Sequence, residues 1–414
     1  MPLFPAFLLM LTLSLLSVVL PRPVLAWEFA QRGDGSGPDQ ALAVALGGNV
    51  FAAGQLSGDI FAVKLQRNHG DVQWRYQAGT PSGFELARAA TVDHDGHLIV
   101  AGRDGGSMAV SKIDKDSGAA HWTALMEGGD AFAVGVDGVG DVIAAGTLGI
   151  NMVIVKFRGT DGVELWRAVP SNANPGGQVR ALAVDRSGNA VVAGFLSVGR
   201  PPRPNFAVLK LNGADGSVLW NFQVPSHEFS GGDGARGVAV DTGGDVVAVG
   251  VIRVMTDPNT LSSKFSVVKV AGATGSLLWR HDVDGNARSF DDGNAVVLDG
   301  AGDVVASGNI GGELGVIKLA GVDGAEQWRH TGGPNPLPGK SVDVDRDGNV
   351  VAATRNIVMK LFGATGVEVW QQTLTTMSLS REVAFDNSGN VVVVGEGPGG
   401  FVAVKRNGSD GSDF

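Results

Sequence analysis

A motif of eleven residues recurs along the chain: a lysine, a glycine six positions later, and a tryptophan ten positions after the lysine. The segment KLNGADGSVLW (210–220) is one copy. Self-similarity of this kind marks an architecture built from one repeated unit, so a repeat explains the 414 residues better than several unrelated domains. The lysines are Lys64, Lys112, Lys156, Lys210, Lys269, Lys318, Lys360 and Lys405. The tryptophans that follow them are Trp74, Trp122, Trp166, Trp220, Trp279, Trp328 and Trp370.

A second motif precedes each lysine, as in LAVDRSGNAVVAG at 182–194. Aspartate followed three positions later by glycine is typical of a type I turn closed by a left-handed residue, so this motif indicates a β-hairpin. In the first copy Ala45 stands in the aspartate's place. The other copies carry Asp93, Asp137, Asp185, Asp241, Asp299, Asp345 and Asp386.

Two hairpins per repeat give four strands, and eight repeats give eight sheets. One four-stranded sheet cannot bury both of its faces alone, so such sheets stack radially and close into a ring. After residue 30, no segment keeps an apolar period of 3.6 residues over three turns, and no helix is expected there. The sequence therefore predicts an all-β, eight-bladed β-propeller with four antiparallel strands in each blade.

The N-terminal segment differs from the repeats. Residues 3–20 are continuously apolar, and PRPVLA follows with the small residues Val24 and Ala26. This pattern predicts a signal peptide over 1–26 and a single propeller domain over 27–414. The segment before the apolar stretch has no Lys or Arg, so an uncleaved membrane anchor is the alternative.

The last repeat has Lys405 and Gly411, but the sequence ends before its tryptophan. The segment WEFAQ at 27–31 aligns with WRAVP at 166–170, which makes Trp27 the eighth tryptophan. We therefore expect the N-terminal strand to complete the last blade, so that blade eight consists of 381–414 and 27–31.

The segments NGADGSVLW, AGATGSLLW and FGATGVEVW resemble the tryptophan-docking repeat of pyrroloquinoline quinone (PQQ) dehydrogenases. They are also similar to the propeller lipoprotein of outer-membrane barrel assembly, and AVDRSGNAVVAG resembles secreted bacterial propeller repeats of unassigned role. The resemblance implies that the eight tryptophans wedge between neighbouring sheets. It also implies PQQ and calcium as cofactors if the chain is a dehydrogenase. The chain has no cysteine, and the inserted loops of those enzymes are absent.

A basic ring is expected at one mouth of the central channel. Five residues before each repeat aspartate, where the innermost strand begins, stand Gln40, Arg88, Phe132, Arg180, Arg236, Asn294, Lys340 and Arg381. The cationic members, Arg88, Arg180, Arg236, Lys340 and Arg381, are candidates for binding an anion. The alternative is that the arginines bind loop carbonyls and acids such as Asp130, Asp233 and Asp292.

The repeated lysines have two interpretations. A three-residue turn would place Lys210 opposite Trp220, with its stem packed on the indole and its ammonium at a sheet edge. A ligand-binding ring of lysines is the alternative. Function often resides on variable loops, and the longest such segments here are 195–206 and 251–265.

Other motifs are weaker signals for metal or nucleotide binding. DVDRDG at 343–348 matches the start of a calcium loop but lacks its distal acid. The segment 281–294 collects Asp282, Asp284, Asp291 and Asp292, which are either a candidate site for a hard cation or, as the composition favours, a solvated acidic loop. GDGARG at 232–237 precedes a strand, which argues against nucleotide binding. His94 and His97 share one turn without a partner pair, and neither H-E-x-x-H nor G-x-S-x-G occurs, so no metal or catalytic residue is predicted.

The formal net charge of the chain limits the kinds of molecule that it is expected to bind. Removal of 1–26, whose one charged residue is Arg22, changes the formal net charge from −10 to −11, which disfavours a nucleic-acid partner. We expect an exported, periplasmic or secreted, monomeric and non-catalytic propeller that binds a protein or a small anionic ligand on its variable-loop face. A PQQ-dependent oxidoreductase and a purely structural envelope module are the alternatives.

Overall fold

The computed structural model describes residues 26–33, 38–79, 85–170, 176–199, 203–225, 232–257, 260–285, 291–332 and 341–412. All regular secondary structure in these residues is β, arranged as eight four-stranded antiparallel sheets. The predicted eight-bladed β-propeller without helices is therefore confirmed. The predicted signal peptide, apart from Ala26, lies outside the described residues and stays a prediction.

The strands of the first four blades follow one another along the chain after β1 (Trp27–Gln31). Blade one contains β2 (Gln40–Leu46), β3 (Val50–Leu56), β4 (Asp59–Leu65) and β5 (Val72–Ala78), and blade two contains β6 (Leu86–Val92), β7 (Leu98–Asp104), β8 (Ser107–Ile113) and β9 (Ala120–Glu127). Blade three contains β10 (Gly129–Val136), β11 (Val142–Leu148), β12 (Asn151–Phe157) and β13 (Glu164–Ala168), and blade four contains β14 (Gly177–Val184), β15 (Ala190–Val198), β16 (Arg203–Leu211) and β17 (Val218–Val224).

The remaining four blades repeat this order. Blade five contains β18 (Gly234–Val240), β19 (Val246–Asp257), β20 (Thr260–Val270) and β21 (Leu277–Val283), and blade six contains β22 (Asp292–Leu298), β23 (Val304–Ile310), β24 (Glu313–Leu319) and β25 (Glu326–Gly332). Blade seven contains β26 (Ser341–Val344), β27 (Val350–Thr354), β28 (Ile357–Leu361) and β29 (Glu368–Thr373), and blade eight contains β30 (Leu379–Phe385), β31 (Val391–Gly397) and β32 (Gly400–Arg406).

The first strand of each blade lines the centre and packs against the first strand of the next blade, all the way around. The ring is closed by β1, which pairs antiparallel with β32 as the fourth strand of blade eight. In that ladder Trp27 lies opposite Lys405 and Gln31 lies opposite Phe401. The N-terminal strand thus completes the last blade, as the alignment of 27–31 with 166–170 predicts.

The core lies between the blades and not inside any one of them. Each hydrophobic cluster joins residues of two adjacent sheets, and the middle strands are almost entirely buried on both faces. At the closing seam the ring of Phe61 from blade one meets Phe401 from blade eight edge to face, with centroids 5.0 Å apart. Apolar area removed from water between sheets therefore holds the ring together.

The two longest variable segments are mostly strand. Residues 195–206 belong largely to β15 and β16, and 251–265 belong largely to β19 and β20. The expectation of long loops is wrong at these points because both segments continue the backbone ladder outward, with Val198 opposite Arg203 and Met255 opposite Leu261. These hairpins extend on the face where the innermost strands begin.

Candidate functional site

The repeated lysines and tryptophans act together at the seams between blades. Lys210 lies opposite Trp220, and their Nζ and Nε1 atoms both donate to the carbonyl of Gly272 in the next blade, at 2.9 and 3.0 Å. The indole also contacts Gly275 of that blade, where a Cβ would come within 2.8 Å of the ring. The tryptophans that repeat this contact are Trp27, Trp74, Trp122, Trp166, Trp220, Trp279, Trp328 and Trp370.

Each of the eight repeated lysines except Lys64 also forms an ion pair with the repeat aspartate of its own blade. Lys210 Nζ lies 2.9 Å from Asp185 Oδ2, and both side chains are buried. Burial raises the pKa of Asp185, but hydrogen bonds from Lys210 and Asn189 outweigh it and hold the pKa below its ordinary value. The ammonium groups are therefore engaged inside the protein and do not lie at an open sheet edge.

The basic ring owes its geometry to a repeated β-bulge. Every innermost strand except β26 shifts register at one residue within the described part of the chain, and a bulge redirects the side chain it carries. The bulge residues are Leu42, Arg88, Phe132, Arg180, Arg236, Asn294 and Arg381. Lys340 lies outside the described residues.

In blade one the ring position is Leu42, and the expectation that Gln40 occupies it is wrong. The first turn is shorter than the others: Leu46 pairs with Val50, whereas Val184 pairs with Ala190 in blade four. Counting five residues back from Ala45 therefore overshoots the bulge. Because the same shortening removes the aspartate, Lys64 forms no ion pair with a described residue of its own blade.

Three of the arginines bind the next blade. Arg88 pairs with Asp130 at 3.0 Å and lies over the Phe132 ring, 4.7 Å from its centroid. Arg236 donates to Asp292 at 2.5 Å. Arg381 donates to Gln40 at 3.1 Å. In each case the acceptor stands two residues before the next blade's bulge.

The expected arginine–aspartate contacts thus occur for Asp130 and Asp292. Asp233 instead accepts a hydrogen bond from the backbone N–H of Arg253 at 3.1 Å. This carboxylate is buried at the entry to β18, so it anchors a loop on the channel-mouth face.

Arg180 differs from the other ring arginines. In the next blade the acceptor position holds Gly234, which has no side chain, and within the described residues Arg180 forms no ion pair. Its guanidinium lies 5.7 Å from the Phe195 centroid and is exposed to the channel. The main cause that lowers the pKa of Arg180 is the partial loss of hydration next to surrounding protein atoms, and the nearby charge of Arg236 lowers it further. Arginine nevertheless remains charged, so Arg180 offers a cation to the channel.

Below this mouth the ring encloses a cavity of about 570 Å³. Its wall is mainly Ala and Val, with Arg88, Arg180 and Arg381 at the rim. Two acids also line it, Asp343 and Glu382. Asp343 is the first aspartate of the calcium-like motif at 343–348, but the sequence does not predict that it lines the channel. Glu382 belongs to no predicted site, and its only sequence signal is an acidic residue in an innermost strand where the other blades have Ala, Gly or Ser.

Both channel acids are bound to backbone N–H groups. Glu382 accepts from Val44 at 2.9 Å, and Asp343 accepts from Phe385 at 2.7 Å. Burial raises the pKa of Glu382 to about 7, and the charge of Asp343 acts in the same direction. Burial likewise raises the pKa of Asp343. The channel therefore has cations at its mouth and two weakly acidic carboxyls within.

The acids at 281–294 do not form one cation site. Asp282 pairs with Arg280, Asp284 with Lys264, and Asp292 with Arg236. Asp291 accepts hydrogen bonds from the backbone of Gly285 and Gly311. The hypothesis of a shared hard-cation site is therefore wrong for the described part of this segment, from which 286–290 are excluded.

The remaining sequence motifs, at 343–348, 232–237 and His97, lie in turns and strands of the blades. In the calcium-like motif at 343–348, Asp345 pairs with Lys360 at 3.2 Å and Asp343 accepts from the backbone N–H of Phe385, so two of its three aspartates have partners within the protein. The strand β18 begins within GDGARG, as expected. His97 does have partners, because Asp114 and His121 lie beside it; the expectation of an isolated histidine is wrong because the second hairpin of the blade folds against the first.

The donor groups of the channel do not match a calcium-dependent quinone. Calcium requires several free carboxylate or carbonyl oxygens. At the mouth Asp130 and Asp292 are paired with arginines, and within the channel Asp343 and Glu382 bind backbone N–H groups. The described residues of the channel therefore do not supply the set of free oxygen ligands that calcium requires.

The described residues contain no helix and so none with the length and apolar character needed to cross a membrane.

Several solved structures share the fold at low sequence identity. BamB from Moraxella catarrhalis superposes with a TM-score of 0.60 at 14% identity, covering 92% of this chain and 99% of that one. Sqt1 of Chaetomium thermophilum, solved with the N-terminus of the ribosomal protein L10, gives 0.64 at 12% identity, covering 91% and 98%. Quinohemoprotein alcohol dehydrogenase from Comamonas testosteroni gives 0.63 at 11%, covering 92% and 76%. At these identities the likeness concerns the fold alone.

No curated protein matches the chain in sequence. The sequence model described as outer membrane protein assembly factor BamB does match, over residues 63–261 and 205–409. Since these two matches together span most of the chain, the protein belongs to that family.

Proposed function

We propose that this chain is an exported, non-catalytic propeller scaffold that binds a protein partner at the channel mouth through an acidic segment of that partner. The single observation that carries the proposal is Arg180, a charged ring residue with no ion pair among the described residues. A cation that is exposed to the channel and has no ion pair favours an anionic partner, and a carboxylate can bind a guanidinium through two parallel hydrogen bonds.

The surroundings of Arg180 support an extended acidic segment over a single small anion. Arg236 lies near enough to lower the pKa of Arg180, so a second guanidinium, paired with Asp292, lies on the same side of the mouth. The hairpins β15–β16 and β19–β20 extend beside it on the same face and offer backbone and side-chain surface. Among the proteins of like fold, Sqt1 binds the N-terminus of the ribosomal protein L10, which supports peptide binding by such a ring.

Titration calorimetry with a synthetic pentaglutamate peptide tests the proposal, with pentaglutamine as the neutral control. Wild-type protein should bind the acidic peptide, more weakly at high salt, and Arg180→Gln should weaken binding by about tenfold or more because one charge-assisted hydrogen bond is lost. Arg186→Gln is the matched control, since Arg186 is exposed in the first turn of the same blade on the opposite face. Equal affinity of both variants would contradict the proposal.

A quinoprotein oxidoreductase is the alternative that the family resemblance raises. Dye-linked oxidation of alcohols or sugars after incubation with PQQ and calcium distinguishes the two, because a scaffold should show no turnover. Robust turnover would overturn the non-catalytic proposal. Titration with citrate distinguishes a small anion from a peptide as the ligand. Tighter binding of citrate than of pentaglutamate would assign the site to small anions.

A further inference from the structure

Three side chains of blade two converge on the face opposite the channel mouth. His97 ends the turn between β6 and β7, Asp114 follows β8, and His121 lies in β9. His121 Nε2 lies 3.2 Å from Asp114 Oδ2 and 3.3 Å from His97 Nδ1. The third separation, from His97 Nδ1 to Asp114 Oδ2, is 3.5 Å. These three atoms form a nearly equilateral triangle.

The triangle has the dimensions of one face of a tetrahedral metal site. Ligand atoms about 2.0–2.2 Å from a zinc ion in tetrahedral geometry lie roughly 3.3–3.6 Å from one another. Two imidazoles and one carboxylate are a donor set suited to zinc and similar divalent transition metals. We propose that His97, Asp114 and His121 bind a divalent transition metal of the zinc type, with the fourth position open to solvent.

The carboxylate is already oriented for such a role. Asp114 Oδ1 accepts hydrogen bonds from the backbone N–H and the hydroxyl of Ser117, both at 2.7 Å, which leaves Oδ2 directed at the two imidazoles. An aspartate is ordinarily ionised at neutral pH, and the ionised carboxylate is the form that binds a metal.

The tautomer of His97 also suits ligation. The backbone N–H of Lys115 donates to His97 Nδ1 at 3.1 Å, and a backbone N–H can only donate. Nδ1 therefore carries the lone pair and points into the cluster, and a metal would replace this one hydrogen bond. The rings of His97 and His121 stand nearly perpendicular with centroids 4.6 Å apart, so both nitrogens reach the centre without a clash.

The cluster is not part of the repeat that builds the fold. In blade four the same three positions hold Asn189, Asn212 and Leu219, which serve the turns and the outer strand. His97 keeps one contact of the repeat, because its Nδ1 accepts from the backbone N–H of Lys115 as Asn189 Oδ1 accepts from that of Gly213 in blade four. The hairpin therefore requires an acceptor at this position but not a histidine, and His121 makes no such contact of the repeat.

Titration of tag-free full-length protein with Zn²⁺ tests the inference, because a histidine tag would itself bind zinc. The wild type should bind one equivalent. His121→Ala and Asp114→Asn should each weaken binding by at least about tenfold, since even partners outside the coordination shell change metal affinity by that factor. Asp114→Asn keeps the turn, because Asn212 Oδ1 accepts from the backbone N–H of Ala214 in blade four as Asp114 Oδ1 accepts from that of Asp116.

His69→Ala is the control, since His69 is an exposed histidine in the corresponding turn of blade one, and it should leave binding unchanged. Circular dichroism and the thermal melt of metal-free variants verify that they are folded. Absence of saturable Zn²⁺ binding by the wild type would overturn the proposal and make the cluster a histidine–aspartate ion pair. Unchanged zinc affinity in both His121→Ala and Asp114→Asn would overturn it as well.

Discussion

Trp27 and Lys405 lie opposite each other in the ladder that joins the first strand of the chain to the last, and both donate to the carbonyl oxygen of Arg67 in blade one, at 3.0 and 2.9 Å. The pair formed by Trp220 and Lys210 makes the same two hydrogen bonds at an internal seam. The closing seam therefore uses the same contacts as the seams between consecutive blades.

Replacement of Trp27 by alanine should destabilise the protein about as much as Trp220→Ala. Both indoles are almost completely buried between two sheets, and loss of a buried aromatic side chain costs roughly 3–5 kcal/mol. Chemical denaturation of both variants beside the wild type measures this. A negligible effect of Trp27→Ala, with a large effect of Trp220→Ala, would show that the N-terminal strand does not hold the ring shut.

Deletion of residues 27–30 should have a further consequence that neither point variant has. It removes most of β1 and leaves β32 as an open edge, and an unpaired apolar edge strand can pair with another chain. Light scattering should therefore detect association of the deletion variant, whereas Trp220→Ala should stay monomeric. A deletion variant that is monomeric and melts like the wild type would contradict the closure.

Gly216→Ala should be far more destabilising than Gly244→Ala. Both glycines have positive φ, which costs a substituted alanine about 1–2 kcal/mol. At Gly216 the new Cβ would also come within 2.6 Å of the Trp166 ring, whereas at Gly244 it would meet nothing within 4 Å. Thermal melts of the two variants measure the difference, and equal melting temperatures would mean that the indole does not pack on the next blade.

Lys64→Met should cost less than Lys210→Met. Removal of Lys210 leaves the buried Asp185 without its cation, and breaking such a pair typically costs about 3–5 kcal/mol. Lys64 has no ion pair among the described residues, and burial lowers its pKa. Methionine there loses the hydrogen bond to Lys115 O but also removes a buried charge. Denaturation midpoints provide the measurement, and equal losses would contradict the account of the ion pairs.

Glu382 should make stability rise as the pH falls from neutrality. Its pKa is about 7 in the folded protein and 4.5 ordinarily, so between these values the folded state binds the proton more tightly than the unfolded state does. The gain from pH 7 to about pH 5 should be about 2 kcal/mol. The raised pKa of Asp343 should change stability in the same direction, and this aspartate is retained in the control variant Glu382→Gln.

Further acidification should reverse the trend. Six of the repeat aspartates have folded pKa values below the ordinary 3.8, so their contribution is present above that value and is lost as the pH falls through the folded pKa. They are Asp93, Asp185, Asp241, Asp299, Asp345 and Asp386. Urea denaturation across pH should show a maximum on the mildly acidic side. In Glu382→Gln the rise between pH 7 and about pH 5 should be reduced by the amount that Glu382 supplies. An identical pH profile for this variant would exclude that role.

The repeat was predictable because its chemistry is local and occurs eight times. Gly216 must adopt a positive φ and leave room for the Trp166 indole, and Trp220 must pack on the next sheet. The fixed spacing between the glycine and the tryptophan therefore identifies the repeated blade. The assignment of Trp27 to the last blade followed from the same spacing. What the pattern could not convey is a change of register: the shorter turn after Leu46 moved the ring position of blade one from Gln40 to Leu42.

The site was harder to predict because its properties depend on contacts between blades. Whether a ring arginine is paired depends on the residue at another position of the next blade, which is Asp130 for Arg88 and Gly234 for Arg180. Likewise, His97 and His121 meet only because two hairpins of one blade lie side by side. A single sequence shows these residues but not their juxtaposition.

A crystal structure of the protein with the pentaglutamate peptide tests the proposed function most directly. The account predicts a peptide carboxylate within hydrogen-bonding distance of the Arg180 guanidinium, at the channel mouth between blades four and five. A peptide bound on the opposite face, or at the mouth with Arg180 uncontacted, would contradict it.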